Sequence, residues 1–522
     1  MCEAPLSTYS LYEVTSLHTL SNRGLLVQIC LCAFLIWCLR LLWSRRRLYE
    51  LASKMPGPFS LPLIGSALSF AGNINDTFSN IMVLFKTYPG LFRVWYGPKL
   101  LVAISDPKYF EILLPNYLKK QYMYTFAEPV VGHGLFTAPV DTWKRHRKTI
   151  MPTFNQKILD GFVQIFSEQA EIFIDQLKGH SGNGEFDIFN VLSKCTLDII
   201  CETAMGVKIN SQTTDHPYPE WVDRIFEIVV QRAAVCWYHC DLIFNLTSNA
   251  RDFKTVSRNL HSVTEKVVRE KKKAYNEKIA EIDGHFNENI QEHVSNKKAF
   301  LDYLIEVTSE GSSKFTNQEL ANEVTTFIIA GSDTTASTSS YVFITLGIHQ
   351  DLQQKVYDEI IEVVGPTRPV EPADLPHLKY TEMFIKETLR LFPVATMILR
   401  DIDEEVALGD YVIPGGVTVV FGILWAHTDE KYWPEPYKFD PDRFLPEEVS
   451  KRHPCAYVPF SYGSRNCIGM KYAMMAMKAM VATVLRKYRI STSYKSVEDV
   501  KLKFNLVTRP MDGYKVSVML RS

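Results

Sequence analysis

The stretch from Thr316 to about Gln350 constrains this chain more than any other, because it is largely apolar and contains no proline over roughly nine helical turns. Thr316 followed by Glu319 is a capping-box pattern, which starts a helix. A helix that is apolar on all sides must be covered on all sides, so the chain has to build a large helical body around it. At 522 residues and 46% hydrophobic it has the material to do so. The middle of this helix breaks the pattern. Ala330-Gly331-Ser332-Asp333-Thr334-Thr335 places small residues, an acid and hydroxyls where helix propensity disfavours most of them. Ser and Thr hydroxyls can also bond back to the preceding turn and distort the ladder, so a local opening is expected there.

No Gly/Ser-rich linker, low-complexity tract or fixed-period repeat divides the chain, so one large catalytic domain is expected over 66–522. The net charge of −1, with 57 basic and 58 acidic residues, offers no field for polyanions and argues against nucleic acid as a partner. The charge-dense stretch Glu265 to Lys278 mixes both signs around Val263, Val267 and Val268, as a solvated helix face does. Ten cysteines are too sparse for a disulfide framework and fit a reducing compartment. Cys236, His239 and Cys240 have no second ligand pair at metal-site spacing, and packing around a buried helix containing Trp237 is the expectation.

Leu25 to Trp43 is apolar apart from Gln28 and Arg40, and as a helix it spans about 30 Å, one hydrocarbon core. No small-residue cleavage pattern follows, so a retained signal anchor is expected at 25–43, behind a short luminal segment 1–24. Arg45, Arg46 and Arg47 directly after the span place the body in the cytosol. Pro56-Gly57-Pro58, with Pro62 and Gly65, then stops the helix, and 44–65 reads as a basic, proline-rich hinge. Sequons at Asn75 and Asn245 fall on the cytosolic side and are expected to stay unmodified.

The most specific stretch is Phe460-Ser461-Tyr462-Gly463-Ser464-Arg465-Asn466-Cys467-Ile468-Gly469, followed by a helix rich in Met and small residues. It resembles the haem-binding loop of the cytochromes P450, Phe-x-x-Gly-x-Arg-x-Cys-x-Gly, at every fixed position. The resemblance implies haem b with Cys467 as the axial iron ligand. A thiolate is needed there, and a position before a helix N-terminus with nearby amides favours one. Gly463 and Gly469 are expected to let the backbone approach the macrocycle, Arg465 to pair with a propionate, and Phe460 to shield the sulfur.

The same resemblance covers about 55–515 and implies a mostly α fold with a small β region. Thr334 matches the threonine that steadies oxygen during its activation, and Asp333 the acid that relays protons. Glu387 and Arg390, three apart on one helix face, match with Arg443 the family's structural Glu-Arg-Arg cluster. Trp143, Arg147 and Arg400 match propionate contacts. The basic run Lys144 to Lys148 offers a face to an acidic redox partner, an NADPH-dependent reductase with cytochrome b5 as a second candidate. The run Glu323-Val324-Thr325-Thr326-Phe327 is similar to the clan of fatty-acid ω-hydroxylases, and the whole chain leans toward its insect microsomal members. Where many of that clan have a glutamate that becomes ester-linked to haem, this chain has Ala330, so a non-covalent cofactor is expected.

These matches imply a monooxygenase of the endoplasmic reticulum membrane that uses O2 and a lipophilic small molecule. A haem-thiolate isomerase or dehydratase and a non-catalytic haem binder are the alternatives. Both call for a damaged oxygen motif, whereas Asp333 and Thr334 are intact. Alternation in Tyr411 to Ile413 and Val417 to Val420 around Gly415-Gly416 reads as a β-hairpin.

Overall fold

The computed structural model describes residues 25–521 except 26, 38, 41, 62–63, 67–73, 215, 284–299 and 310–314. The expected luminal segment 1–24 lies outside the described residues. The chain falls into two compact units, the N-terminal segment through Pro56 together with Asp403–Val417, and Gly57–Ile402 together with Thr418–Ser522.

The first unit contains an apolar helix over Val27–Ser44, long enough to cross a bilayer, whose described side chains are exposed. A second helix, Arg46–Ser53, follows at once and buries Leu51 and Ala52. It packs on the strand Tyr411–Ile413, and Arg47 pairs with Glu405 at 3.2 Å. The expected hinge at 44–65 is therefore structured over its first half. The hairpin also differs from expectation. Tyr411–Ile413 pairs with Val406–Leu408, and the two-residue turn is Gly409-Asp410, with Gly409 at φ +58°. A glycine at the first turn position satisfies a tight hairpin, whereas Pro414 ahead of Gly415-Gly416 cannot donate to a ladder.

The second unit is the helical body. Its helices are labelled α1 (Val140–Ile150), α2 (Val163–Leu177), α3 (Phe189–Ile200), α4 (Tyr218–Ala234), α5 (Ser248–Asp283), α6 (Asn317–Ile348), α7 (Lys379–Leu391) and α8 (Met470–Lys487). The capping box at Thr316 and Glu319 forms, and α6 is the central helix, buried along most of its length against α3, α5, α7 and α8. The Thr325 hydroxyl bonds to Ala321 O and the Thr345 hydroxyl to Tyr341 O, so these two buried hydroxyls are satisfied within the helix, whereas those of Ser339 and Ser340 have no partner among the described residues. On α5, Val267 is buried while Lys266–Glu270 and Lys273–Glu277 pair on the outside, the solvated face that the charge pattern implied.

Strands β1 (Leu91–Tyr96) and β2 (Lys99–Ile104) form an antiparallel pair, and β2 pairs in parallel with Val417–Gly422, which continues to Met397–Ile402. A second sheet joins Phe186–Asp187, Lys515–Leu520 and Tyr488–Ser491. The fold is thus mostly α with a small β region. Trp237 is a further departure from expectation. It sits in a 3-10 turn, Cys236–His239, and is 60% exposed instead of buried. His239 is held by Tyr122 Oη at 2.8 Å and Ala233 O at 3.0 Å, and no metal-binding group occurs among the described residues.

Candidate active site

A cavity of about 350 Å³ lies between the middle of α6 and the loop before α8. Ala330, Gly331 and Thr334 line one wall, and Phe460, Cys467 and Gly469 line the other. The surface that Cys467 exposes faces this cavity, so its sulfur is out of bulk water although it is not covered by protein. The Cys467 N–H donates to Phe460 O at 2.9 Å, which closes the loop so that the thiol points inward. Burial pushes the thiol's pKa up, while the Gly469 N–H and the Arg147 guanidinium pull it down. The peptide surroundings alone do not lower it as the helix N-terminus led us to expect. Iron held by Cys467 would supply the missing positive charge and favour the thiolate.

The two loop glycines have different causes. A Cβ at Gly469 would meet only Cys467 Sγ, at 3.9 Å, and would project into the space beside the sulfur, as expected of a cofactor cradle. Gly463 does not work that way. It sits at φ +78°, and a Cβ there would lie 2.9 Å from Pro115 Cα, so its glycine is required by the loop's own conformation and by close backbone packing. Ser461, at φ +63°, holds a left-handed position in the same loop with its hydroxyl unpartnered, a local strain that the surrounding contacts must sustain.

Four cations line one side of the cavity: Lys120, Arg147, Arg400 and Arg465. Among the described residues none of them meets a carboxylate. Arg147 donates to Asn466 O and Oδ1 at 2.8 Å each, tying α1 to the residue before Cys467. Arg465 donates to Leu118 O and Ala138 O at 2.5 and 2.6 Å and lies over the buried Trp143 ring. Arg400 donates to Leu399 O at 2.9 Å, and Lys120 donates to Phe136 O. The Nε atoms of Arg400 and Arg465 have no partner. Burial and mutual repulsion push Arg465 down to about 10 and Lys120 well below its ordinary value. So many buried like charges without a counter-ion call for an anionic ligand. Haem carries two propionates beside an apolar ring, and the cavity offers a sulfur ligand, a cationic edge and apolar walls. The residues present fit it.

Helix α6 keeps its α geometry through the whole motif, so the expected opening does not form. Thr334 donates to Ala330 O at 2.7 Å and leaves its backbone ladder intact. Room comes from small side chains instead. Gly331 is needed for packing as well, since a Cβ there would lie 2.7 Å from Ile200 Cδ1 on α3.

Asp333 is placed differently from its sequence reading. It does not line the cavity with Thr334 but turns to the other side of α6, where Oδ1 accepts from Arg509 Nη2 at 2.7 Å. The same Arg509 nitrogen is 3.1 Å from Asp223 Oδ1 on α4, and Asp333 Oδ2 has no partner. Burial raises the Asp333 pKa against the pull of Arg509, with Asp223 adding to the rise. The reason for the orientation is angular: residues 330, 331, 334, 335 and 338 share the face of α6 that lines the cavity, and at about 100° per residue position 333 falls beyond the edge of that face.

The structural cluster forms around α7. Arg390 Nε and Nη2 grip Glu387 at 2.7 and 2.8 Å, both fully buried, and Glu387 Oε1 also accepts from the Asp440 N–H at 2.9 Å. Arg443 joins at 3.7 Å and mainly holds Pro434 O and Glu435 O. Of the basic run on α1, only Lys144 and Lys148 are exposed. Arg145 pairs with Glu319, and His146 is buried with Nδ1 2.6 Å from Glu323 Oε1. Sequence reasoning missed Lys120, Asn466, Asp223 and Arg509. Lys120, Asp223 and Arg509 carry no local motif because each meets the site from a distant part of the chain, whereas Asn466 lies inside the cysteine loop at a position whose residue type the loop pattern leaves open.

The Cytochrome P450 family model matches residues 55–518 of this chain. Among curated proteins, cytochrome P450 4c3 of Drosophila melanogaster is 35% identical over 489 residues, 91% of each chain. Cytochrome P450 4V2 of Rattus norvegicus is 35% identical over 469 residues, 88% of each chain. Cytochrome P450 4c21 of Blattella germanica is 34% identical over 487 residues, 92% of this chain and 95% of that one.

Proposed function

Because the chain belongs to the cytochrome P450 family and is a haem-thiolate monooxygenase with non-covalently bound haem b, we propose that Cys467 is its axial ligand and that it oxidises a lipophilic molecule at the endoplasmic reticulum membrane with electrons from an NADPH-dependent reductase. The observation that carries the site assignment is the cavity itself, where Cys467 and Gly469 face Thr334 and Ala330 across a space edged by four uncompensated cations. Haem, when bound, supplies the iron that activates dioxygen, and thiolate ligation favours O–O cleavage.

The chain's own residues do the rest. Trp143, Arg147, Arg400 and Arg465, joined by Lys120, hold the propionate edge, and Phe460 with the Cys467 N–H fixes the sulfur's approach. The Thr334 hydroxyl stands over the cavity and can shift its proton from the Ala330 carbonyl to an oxygen placed there. Asp333 supplies protons from behind α6. A relay from it runs through a rotation of its side chain away from Arg509. Glu387, Arg390 and Arg443 keep the segment leading to the cysteine loop in place.

The apolar helix at Val27–Ser44 and the arginines after it support a single-pass anchor with the catalytic body in the cytosol. A surface depression bearing Lys144, Lys148 and Met151 lies next to Asn466 and suits an acidic electron donor, reductase or cytochrome b5. The test is reconstitution of the full-length protein with reductase in vesicles and a lipid and terpenoid panel. Substrate-dependent NADPH consumption with one labelled oxygen atom in the product supports the reading. Product formed without NADPH overturns it.

A further inference from the structure

A second cavity, of about 260 Å³, adjoins the first and shares Tyr124 and Phe136 with it. Its walls come from β1 and β2, α4, the strand Met397–Ile402 and the segment Phe504 to Leu506. Among its described lining residues not one is acidic, basic or histidine. A carboxylate entering here would lose its hydration with no charged partner, which is far more costly than burying a neutral oxygen that finds a donor. The cations at the shared wall belong to the first cavity: Lys120 has its ammonium 4.5 Å from the Tyr124 ring centroid and 4.0 Å from that of Phe136, and Arg400 interacts with Tyr124. Both are among the groups that fit the cofactor's own acids.

Two polar side chains in this chamber are oriented alike. Gln121, 2% exposed, accepts the Met123 N–H on Oε1 at 2.6 Å. Asn505, 5% exposed, accepts the Leu506 N–H on Oδ1 at 2.8 Å. Each amide oxygen is thereby committed to the backbone, and among the described residues neither NH2 group has a protein partner. The two amides therefore present donors, beside the hydroxyls of Thr77, Tyr96, Tyr124 and Thr396 in otherwise apolar surroundings, and buried amide donors of that kind select a ligand that accepts.

We propose that this chamber selects elongated, uncharged lipophiles carrying an acceptor oxygen, such as esters, ketones or ethers, over free fatty acids, with the Gln121 and Asn505 amides as the specificity-determining donors. The proposal rests on the monooxygenase reading only in that the rest of the ligand extends past Tyr124 and Phe136 toward Thr334.

The test is binding, without turnover: substrate-induced difference spectra of the haem-loaded full-length protein with methyl myristate, myristic acid at neutral pH and n-pentadecane, dissociation constants being taken on unbound ligand. The ester should bind tightest and the acid at least about tenfold more weakly. Asn505→Leu and Gln121→Met should each reduce the preference for ester over hydrocarbon by about threefold to tenfold, a ratio that a general loss of folded protein does not change. Acid binding as tight as ester binding overturns the charge argument, and an unchanged ratio in both variants overturns the role of the amides. Absence of NADPH-dependent turnover would overturn the monooxygenase reading and leave these binding ratios standing.

Discussion

Replacing Arg509 by Met tests whether one guanidinium stabilises the buried Asp333 carboxylate on the far side of α6 from the cavity. Arg509 is 5% exposed and lies 4.0 Å from the Phe189 ring centroid, so Met keeps much of the apolar contact and removes the charge. What remains is Asp333, 4% exposed, with both oxygens unpartnered. Breaking a buried pair from one side costs about 3–5 kcal/mol when the orphaned charge stays ionised. Asp223 adds less, since its side chain is 35% exposed as a whole, although the Oδ1 that faces Arg509 is buried. The sign with pH follows from the raised Asp333 pKa. Below its unfolded value the Asp333 carboxyl is protonated in both states and contributes no charge of its own. As pH rises through the interval up to the folded value, only the unfolded state ionises freely, so stability falls. Removing Arg509 extends that interval upward. Urea unfolding followed by circular dichroism should therefore show Arg509→Met strongly destabilised in mildly alkaline buffer and much less so in mildly acidic buffer, with Asp333→Asn restoring most of the loss in the double variant. Equal destabilisation at both pH values, with no rescue by Asp333→Asn, would refute the assigned coupling.

Three further outcomes are expected. Cys467→Ser should lose the thiolate-specific Soret band of the reduced carbon monoxide complex, because serine is a harder and far less acidic donor; a retained band would show that another residue binds iron. Deleting residues 1–44 keeps the helix Arg46–Ser53 and should leave haem content intact while weakening sedimentation with membranes, and loss of haem on deletion would count against an independent catalytic body. Acid-organic extraction should release all haem from the native protein, since the Ala330 methyl facing the cavity offers no oxygen for an ester, whereas Ala330→Glu should retain a fraction after turnover.

What the sequence disclosed depends on how local each determinant is. The capping box at Thr316 and Glu319 involves residues three apart, so it could be read directly, and it forms. Glu387 and Arg390 were legible for the same reason, but the weaker hold of Arg443 at 3.7 Å was not, because its strongest bonds go to carbonyls of Pro434 and Glu435 that any sequence would supply. The hairpin was misplaced because alternation marks strands without naming their partners. Val417–Gly422 alternates as a hairpin strand would, yet its neighbour is β2, more than three hundred residues earlier.

Asp333 shows the same limit at the site itself. A motif gives order along the chain, and adjacent motif residues on a helix diverge by about 100°, so membership in one motif does not mean facing one cavity. Thr334 faces the space above Cys467, while Asp333 faces α4 and the C-terminal strand segment through Arg509. The consequence is mechanical. Asp223 belongs to the helix whose later residues Val229, Val230, Ala233 and Ala234 wall the second cavity, and Arg509 follows closely on Phe504, Asn505 and Leu506, which wall it too. Asp333 is thus hydrogen-bonded to Arg509 and, through that guanidinium, ion-paired to Asp223, so it is linked to two elements that wall the second cavity. On the proposed function, a ligand that shifted either one would change how firmly Arg509 holds Asp333, which would join occupancy of the apolar chamber to proton supply at Thr334 through a single guanidinium.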